Sequence, residues 1–158
     1  MGYEEEGISL QILVKEVFEK AKYPDFRKGD SIELFFDTRD NKKKGFNTRF
    51  CHHFVFYPEE VKGSLGKEVS RFRSDDMHKL CNSEDLIISS KIEPKSYFMD
   101  IIIPSFCLYG YDPTRMKSFG FTYRINRGDK DSQYFTVISK EFTIEQNPSL
   151  WASMKMVK

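Results

Sequence analysis

What most constrains this chain is a period-two alternation of apolar and polar side chains that returns again and again. Phe119, Phe121, Tyr123 and Ile125 alternate with Gly120, Thr122, Arg124 and Asn126, and successive side chains on an extended strand point to opposite faces. The same rhythm puts Ile8, Leu10, Ile12 and Val14 on one face near the start. It sets Ile32, Leu34 and Phe36 against Glu33, Phe35 and Asp37 over 31–37. Over 46–57 a return strand opposes Phe50, His52, Phe54 and Phe56 to Cys51, His53, Val55 and Tyr57, and Pro58 is expected to end it. A helix competes for the stretch from Ile8 to Lys20, because Val14, Val17 and Phe18 also make a helical stripe, but the alternation favours a strand. Further strands are predicted over 69–72, 86–92, 97–103, 132–138 and 150–157, with a hairpin turn at Gly128-Asp129-Lys130-Asp131. Fifteen Phe and eight Tyr beside a single Trp agree with strands. About eight short strands with long loops and little helix predict an all-β fold, an antiparallel β-sandwich of the immunoglobulin or jelly-roll kind. At 158 residues, with no repeat or linker, one domain over 1–158 is expected.

Charge narrows the function classes. Lys and Arg total 25 against 24 Asp and Glu, a formal net charge of +1, so there is no global field for nucleic acid or an anionic membrane. The run Lys42-Lys43-Lys44, near Arg39 and Arg49, reads as a solvated hairpin tip. No apolar run approaches the roughly 20 residues of a membrane span, and the acidic start has no apolar core of a signal peptide. Neither a nucleic-acid nor a membrane partner is predicted. Cys51, Cys81 and Cys107 are an odd, widely spaced set, which favours unpaired thiols, a reducing compartment and a cytoplasmic location.

Three kinds of site chemistry can be weighed from spacing. Asp30, Asp37 and Asp40 are hard oxygen donors of the type calcium takes, but the basic residues around that turn favour solvated ion pairs instead. Cys51-His52-His53 and His78-x-x-Cys81 carry zinc-type donors; Cys51 and His52 face opposite sides of a strand, so no metal is expected. No glycine-rich phosphate loop, G-x-S-x-G or H-E-x-x-H occurs, and the reading is non-enzymatic.

One resemblance extends this reading. Lys28-Gly29-Asp30-Ser31-Ile32-Glu33-Leu34-Phe35-Phe36-Asp37-Thr38-Arg39-Asp40 resembles a signature of family 9 carbohydrate-binding modules. Tyr97-Phe98-Met99-Asp100-Ile101-Ile102-Ile103-Pro104 and Phe119-Gly120-Phe121-Thr122-Tyr123-Arg124-Ile125-Asn126 are similar to two later strands of that family, in the same order. The resemblance covers about 8–140 and implies a sandwich whose ligand slot lies on one sheet face and its loops, with the family's first strands absent. Where the family places two aromatic rings around a sugar, this chain has Arg27 beside Phe26, and Tyr134 with Phe135. Glu33 matches the family's acidic hydroxyl-binding position, and Asn126 its strand-end Asn. The ligand-binding set is therefore Glu33, Asn126, Arg124, Tyr134, Gln133 and Arg27, and the partner a saccharide or another small polar ligand. No cofactor is expected apart from the structural calcium that the resemblance admits. Under this reading Glu33 is a surface acceptor whose removal abolishes binding at little cost in stability. One alternative is a protein-interaction module that kept the sandwich and lost the sugar. A weaker one is a haem-binding sandwich using Met99, Met116 or His53.

Overall fold

The computed structural model describes residues 1–73, 75–138 and 140–157. Its strands are β1 (Gly2–Glu4), β2 (Gly7–Val14), β3 (Asp30–Asp37), β4 (Cys51–Val61), β5 (Ser64–Glu68), β6 (Ile87–Glu93), β7 (Ser96–Pro104), β8 (Ser118–Arg127), β9 (Lys130–Tyr134) and β10 (Ala152–Lys155). They form a four-stranded sheet in the order β1-β2-β7-β6 and a six-stranded sheet in the order β10-β8-β3-β4-β5, with β9 also paired to β8. The pairings are antiparallel, as a sandwich requires. Among the described residues no helix is long and apolar enough to cross a membrane.

The alternation read from the sequence decides what the sheets enclose. Ile8, Leu10, Met99, Ile101 and Ile103 of the smaller sheet meet Ile32, Leu34, Phe36, Phe54, Phe56, Phe119 and Phe121 of the larger one. Each such side chain contributes about 1.5–3 kcal/mol when fully buried. A slip of one residue in any strand would turn its apolar set outward, so the register is strongly specified.

Several boundaries differ from the sequence reading. The return strand begins at Cys51 and not at Phe46, because the turn expected at 40–45 is extended: Asp37 accepts from Arg39 N at 3.0 Å and Asn41 N at 2.7 Å. Thr38 Oγ1 donates to Tyr109 O at 2.8 Å. Pro58 lies inside β4, where the ladder to β5 shifts between Phe56 and Val61; a bulge is where a strand tolerates proline. The strand expected at 69–72 is instead β5. Lys62 and Gly63, at φ 53° and 78°, make the two-residue turn into it, as right-handed strand twist favours. Gly66 hid this strand, yet its place is compelled: a Cβ there would sit 2.5 Å from Phe56 Cδ1 and 2.8 Å from Ile88 Cδ1.

The cysteine expectation is corrected as well. Cys81 and Cys107 are joined in a disulfide, with Cα atoms 5.0 Å apart, which removes the cysteine argument for a reducing compartment. Cys51 is free and buried; burial, with the nearby Asp37 charge, pushes its thiol up to about 11.

One feature of the larger sheet positions everything below. β3 is buried along its whole length on both faces, although an antiparallel sheet commonly leaves its outer face wet. The segments before β3 and after β9 lie over that face in two small apolar clusters. Phe35 and Cys51 pack with Ile144 and Trp151 in one, where Trp151 Nε1 donates to Ile144 O at 2.7 Å. Ala21, Val55 and Tyr57 pack with Phe26 and Val69 in the other.

Gly66→Ala is expected to destabilise the protein by about 1–3 kcal/mol in urea unfolding, since the added methyl overpacks the core. Gly45→Ala, whose Cβ meets only Asn147 Oδ1 at 3.9 Å, should stay within about 0.5 kcal/mol of wild type.

Candidate functional site

Between the two outer clusters lies a polar strip centred on Glu33. Arg124 on β8 stands directly across from it in the ladder and forks onto both oxygens, Nε to Oε1 at 2.6 Å and Nη2 to Oε2 at 2.8 Å. His53 on β4 brings Nε2 to 2.8 Å from Oε2, and its ring stacks on Phe35 with centroids 4.2 Å apart. Asn126 Nδ2 donates to Oε1 at 2.8 Å and to Ser31 Oγ at 3.0 Å. Ser31 in turn donates to Phe26 O at 2.7 Å, and Ser132 Oγ donates to Asn126 Oδ1 at 3.2 Å.

Glu33 is therefore no surface acceptor: it is 0% exposed and both oxygens are taken. Burial alone would push its carboxyl up. The hydrogen bonds from His53 and Arg124, and then their charges, outweigh burial and hold it well below the usual carboxylate range.

The groups within reach of a ligand stand above this hub. Arg27, in the short turn Phe26–Lys28, donates through Nη2 to Glu145 Oε1 at 2.7 Å, while its Nε lies 3.7 Å from Glu33 Oε1. Glu145 Oε2 is 3.7 Å from Arg124 Nη1; it is buried and accepts no hydrogen bond among the described residues. The Arg27–Glu145 bridge separates two hollows. One, of about 240 Å3, is lined by Arg27, Arg124, Asn126, Ser132, Tyr134, Thr143 and Glu145. The other, of about 260 Å3, lies between Phe26, Arg27, His53, Val69, Arg71 and Glu145. An aromatic ring thus borders each side.

Of the residues singled out in the sequence, Glu33, Asn126, Arg124, Tyr134 and Arg27 are brought together. Gln133 is not. Tyr134 pairs with Arg124 and shares its face, whereas Gln133 pairs with Ile125. The Gln133 amide donates to Tyr123 Oη at 3.1 Å, beside a separate cleft of about 550 Å3 between the sheets, lined chiefly by apolar side chains. Phe135 also turns away and stacks on Tyr123 at 5.4 Å. Sequence reasoning missed Glu145 and Thr143, which sit in an irregular segment without a pattern, and did not connect His53 with Glu33.

Other expectations fall by position. Asp30 and Asp37 are at opposite ends of β3, roughly 23 Å apart by strand rise, and Asp40 accepts from Ser118 and Ser153 hydroxyls at 2.8 and 2.9 Å; the three do not converge as a calcium cage. Met99 is wholly buried between the sheets, while His53 serves the outer face and is engaged with Glu33. Met116 Sδ takes Asp112 N at 3.2 Å in the loop before β8.

No family model and no curated protein matches the sequence. Solved structures do. A carbohydrate binding module family 9 from Caldicellulosiruptor kristjanssonii in complex with cellotriose aligns at a TM-score of 0.72 and 15% identity, covering 97% of this chain and 70% of that one. The glucose complex of a family 9 module from the same organism gives 0.72 and 14%, covering 97% and 72%. The likeness establishes a shared fold.

Two outcomes follow for the hub. Glu33→Ala strands the buried Arg124 charge and should cost about 3–5 kcal/mol in urea unfolding, while Arg27→Ala, at a half-exposed pair, should cost about 1 kcal/mol or less. Because the folded carboxyl titrates below its unfolded value of about 4.3, its contribution is complete above that pH. It is lost as pH falls toward the folded value. Wild-type stability should therefore drop with acidification below about pH 4.3, and Glu33→Gln should lack that part of the drop.

Proposed function

We propose that this chain is a non-catalytic ligand-binding module whose slot, between Arg27, Arg124, Asn126, Tyr134 and Glu145, takes a saccharide or another small polar ligand. The observation that carries the reading is Glu145 Oε2. A buried carboxylate oxygen without a donor among the described residues is costly, and this one borders a hollow that also presents the Arg27 guanidinium and a phenol ring. A sugar hydroxyl supplies the missing donor and accepts from Arg27, while the apolar face of a sugar ring lies against Tyr134. Support also comes from the fold, shared with modules bound to cellotriose and glucose. Catalysis has no place in this reading: Glu33 is held ionised by Arg124, His53 is spent on Glu33, and neither is offered to a substrate.

A second reading, a protein-interaction module that retained the sandwich, draws on the Arg27–Glu145 bridge, which closes one side of the slot. A glycan array followed by calorimetry with glucose and cellotriose separates the two. Saccharide binding that weakens at least tenfold, about 1.4 kcal/mol, in Tyr134→Ala and in Glu145→Gln is expected. A blank array from folded wild-type protein would contradict the saccharide reading and favour the second.

A further inference from the structure

On the core side of the larger sheet, away from the slot, three side chains bring one donor atom each within 4.8 Å of one another: His52, Glu68 and His78. His52 on β4 and Glu68 on β5 share a face, because Glu68 stands opposite Phe54 in the ladder, and both are buried. His78 comes from the irregular stretch between β5 and β6. His52 Nδ1 lies 2.9 Å, and His78 Nε2 2.8 Å, from the same oxygen, Glu68 Oε1.

The far nitrogen of His78 is fixed by backbone: Nδ1 is 2.6 Å from Arg49 O. A carbonyl only accepts, so Nδ1 carries a proton, and in the neutral ring Nε2 turns its lone pair toward Glu68 Oε1. His52 Nδ1 reaches the same oxygen, and the two imidazoles stack with ring centroids 4.2 Å apart. One divalent ion set between the three donor atoms takes both ring nitrogens and the carboxylate together.

The surroundings agree. A ligating histidine whose second N–H is fixed by a carbonyl has its tautomer and orientation set. Glu68 is oriented in the same way, by Ser70 Oγ donating to Oε1 at 2.7 Å and Cys81 N donating to Oε2 at 2.7 Å. Phe72 and Tyr109 wall off His78, at 4.6 and 5.9 Å between ring centroids.

We infer that His52, Glu68 and His78 form a site for a divalent transition-metal ion of the zinc type, held by two imidazoles and one carboxylate. Imidazole donors suit zinc and its first-row neighbours and not calcium or magnesium, which take oxygen. This replaces the sequence expectation of no metal: each histidine was weighed with its neighbouring cysteine, whereas the partner they share is Glu68. The ion fastens the stretch that carries His78 onto β4 and β5. The Cys81–Cys107 disulfide ties down the same stretch covalently.

The test is zinc titration of chelator-stripped protein in non-reducing buffer, followed by calorimetry, metal analysis and melting temperature. Wild type should take up one equivalent and melt higher. His78→Ala, which removes a ligand lying outside the strands, should weaken binding at least ~100-fold, beyond the loss seen for outer-shell changes. Asp85→Asn alters the acidic member of the neighbouring Cys81, Asp85 and Cys107 group and should bind as wild type. No saturable uptake by wild type, retention by folded His78→Ala, or loss in Asp85→Asn would each overturn the proposal. Cobalt(II) loading of wild type gives a reading independent of variant folding. Weak visible bands alone support nitrogen and oxygen ligation, and a thiolate charge-transfer band would place the ion at cysteine and overturn it.

Discussion

A carboxylate with no access to water, set in the middle of a sheet, has to be matched by its neighbours. In this protein Glu33 is matched by Arg124, His53 and Asn126, from the strands on either side. Bidentate guanidinium contact is among the strongest polar interactions a protein makes, but it stabilises a buried site only when the remaining lone pairs are also filled. Both Glu33 oxygens meet that condition. The price of the hub is that it must remain covered, and the outer face of the larger sheet is organised around covering it.

That cover comes from two apolar patches and one ionic bridge. Ile144 and Trp151 close one side over Phe35, Phe26 and Ala21 close the other over Val55 and Tyr57, and Arg27 spans to Glu145 between them. The ligand slot is what this arrangement leaves open. Its floor is rigid because Arg124 and Asn126 are fixed from below, and a preorganised floor lowers the ordering cost of binding. Its rim is softer, since Arg27 is half-exposed and its pair with Glu145 is of the kind that solvent weakens.

How much of this could be read beforehand follows from which physical rule governs each part. Core positions such as Leu34, Phe36, Phe121 and Ile125 were legible because alternation reports the buried face directly. Alternation also forbids Gln133 and Tyr134 from sharing a face, so only one of them belongs with Arg124, and the β8–β9 register decides for Tyr134. Glu33 was legible as a polar residue on an outward face, but its burial was not, because the segments that cover it carry no periodicity. Glu145 lies in such a segment. The disulfide depends on the approach of the loop bearing Cys81 to the turn after β7, a distance that sequence separation does not encode. His52 and His78 escaped for a similar reason, because a β5 strand centred on Gly66 gave no signal and Glu68 went unnoticed with it.

The central claim is that Glu33 is an ionised, fully engaged hub beneath the slot and not a ligand contact at its surface. The most direct test is a 13C NMR pH titration of the Glu33 side-chain carboxyl in the folded protein. The account predicts that its resonance stays at the ionised position through the range in which ordinary glutamates titrate, about pH 4.3, and moves only at more acidic pH. Titration at the ordinary value would mean that Arg124 and His53 do not hold it, and the hub would have to be abandoned.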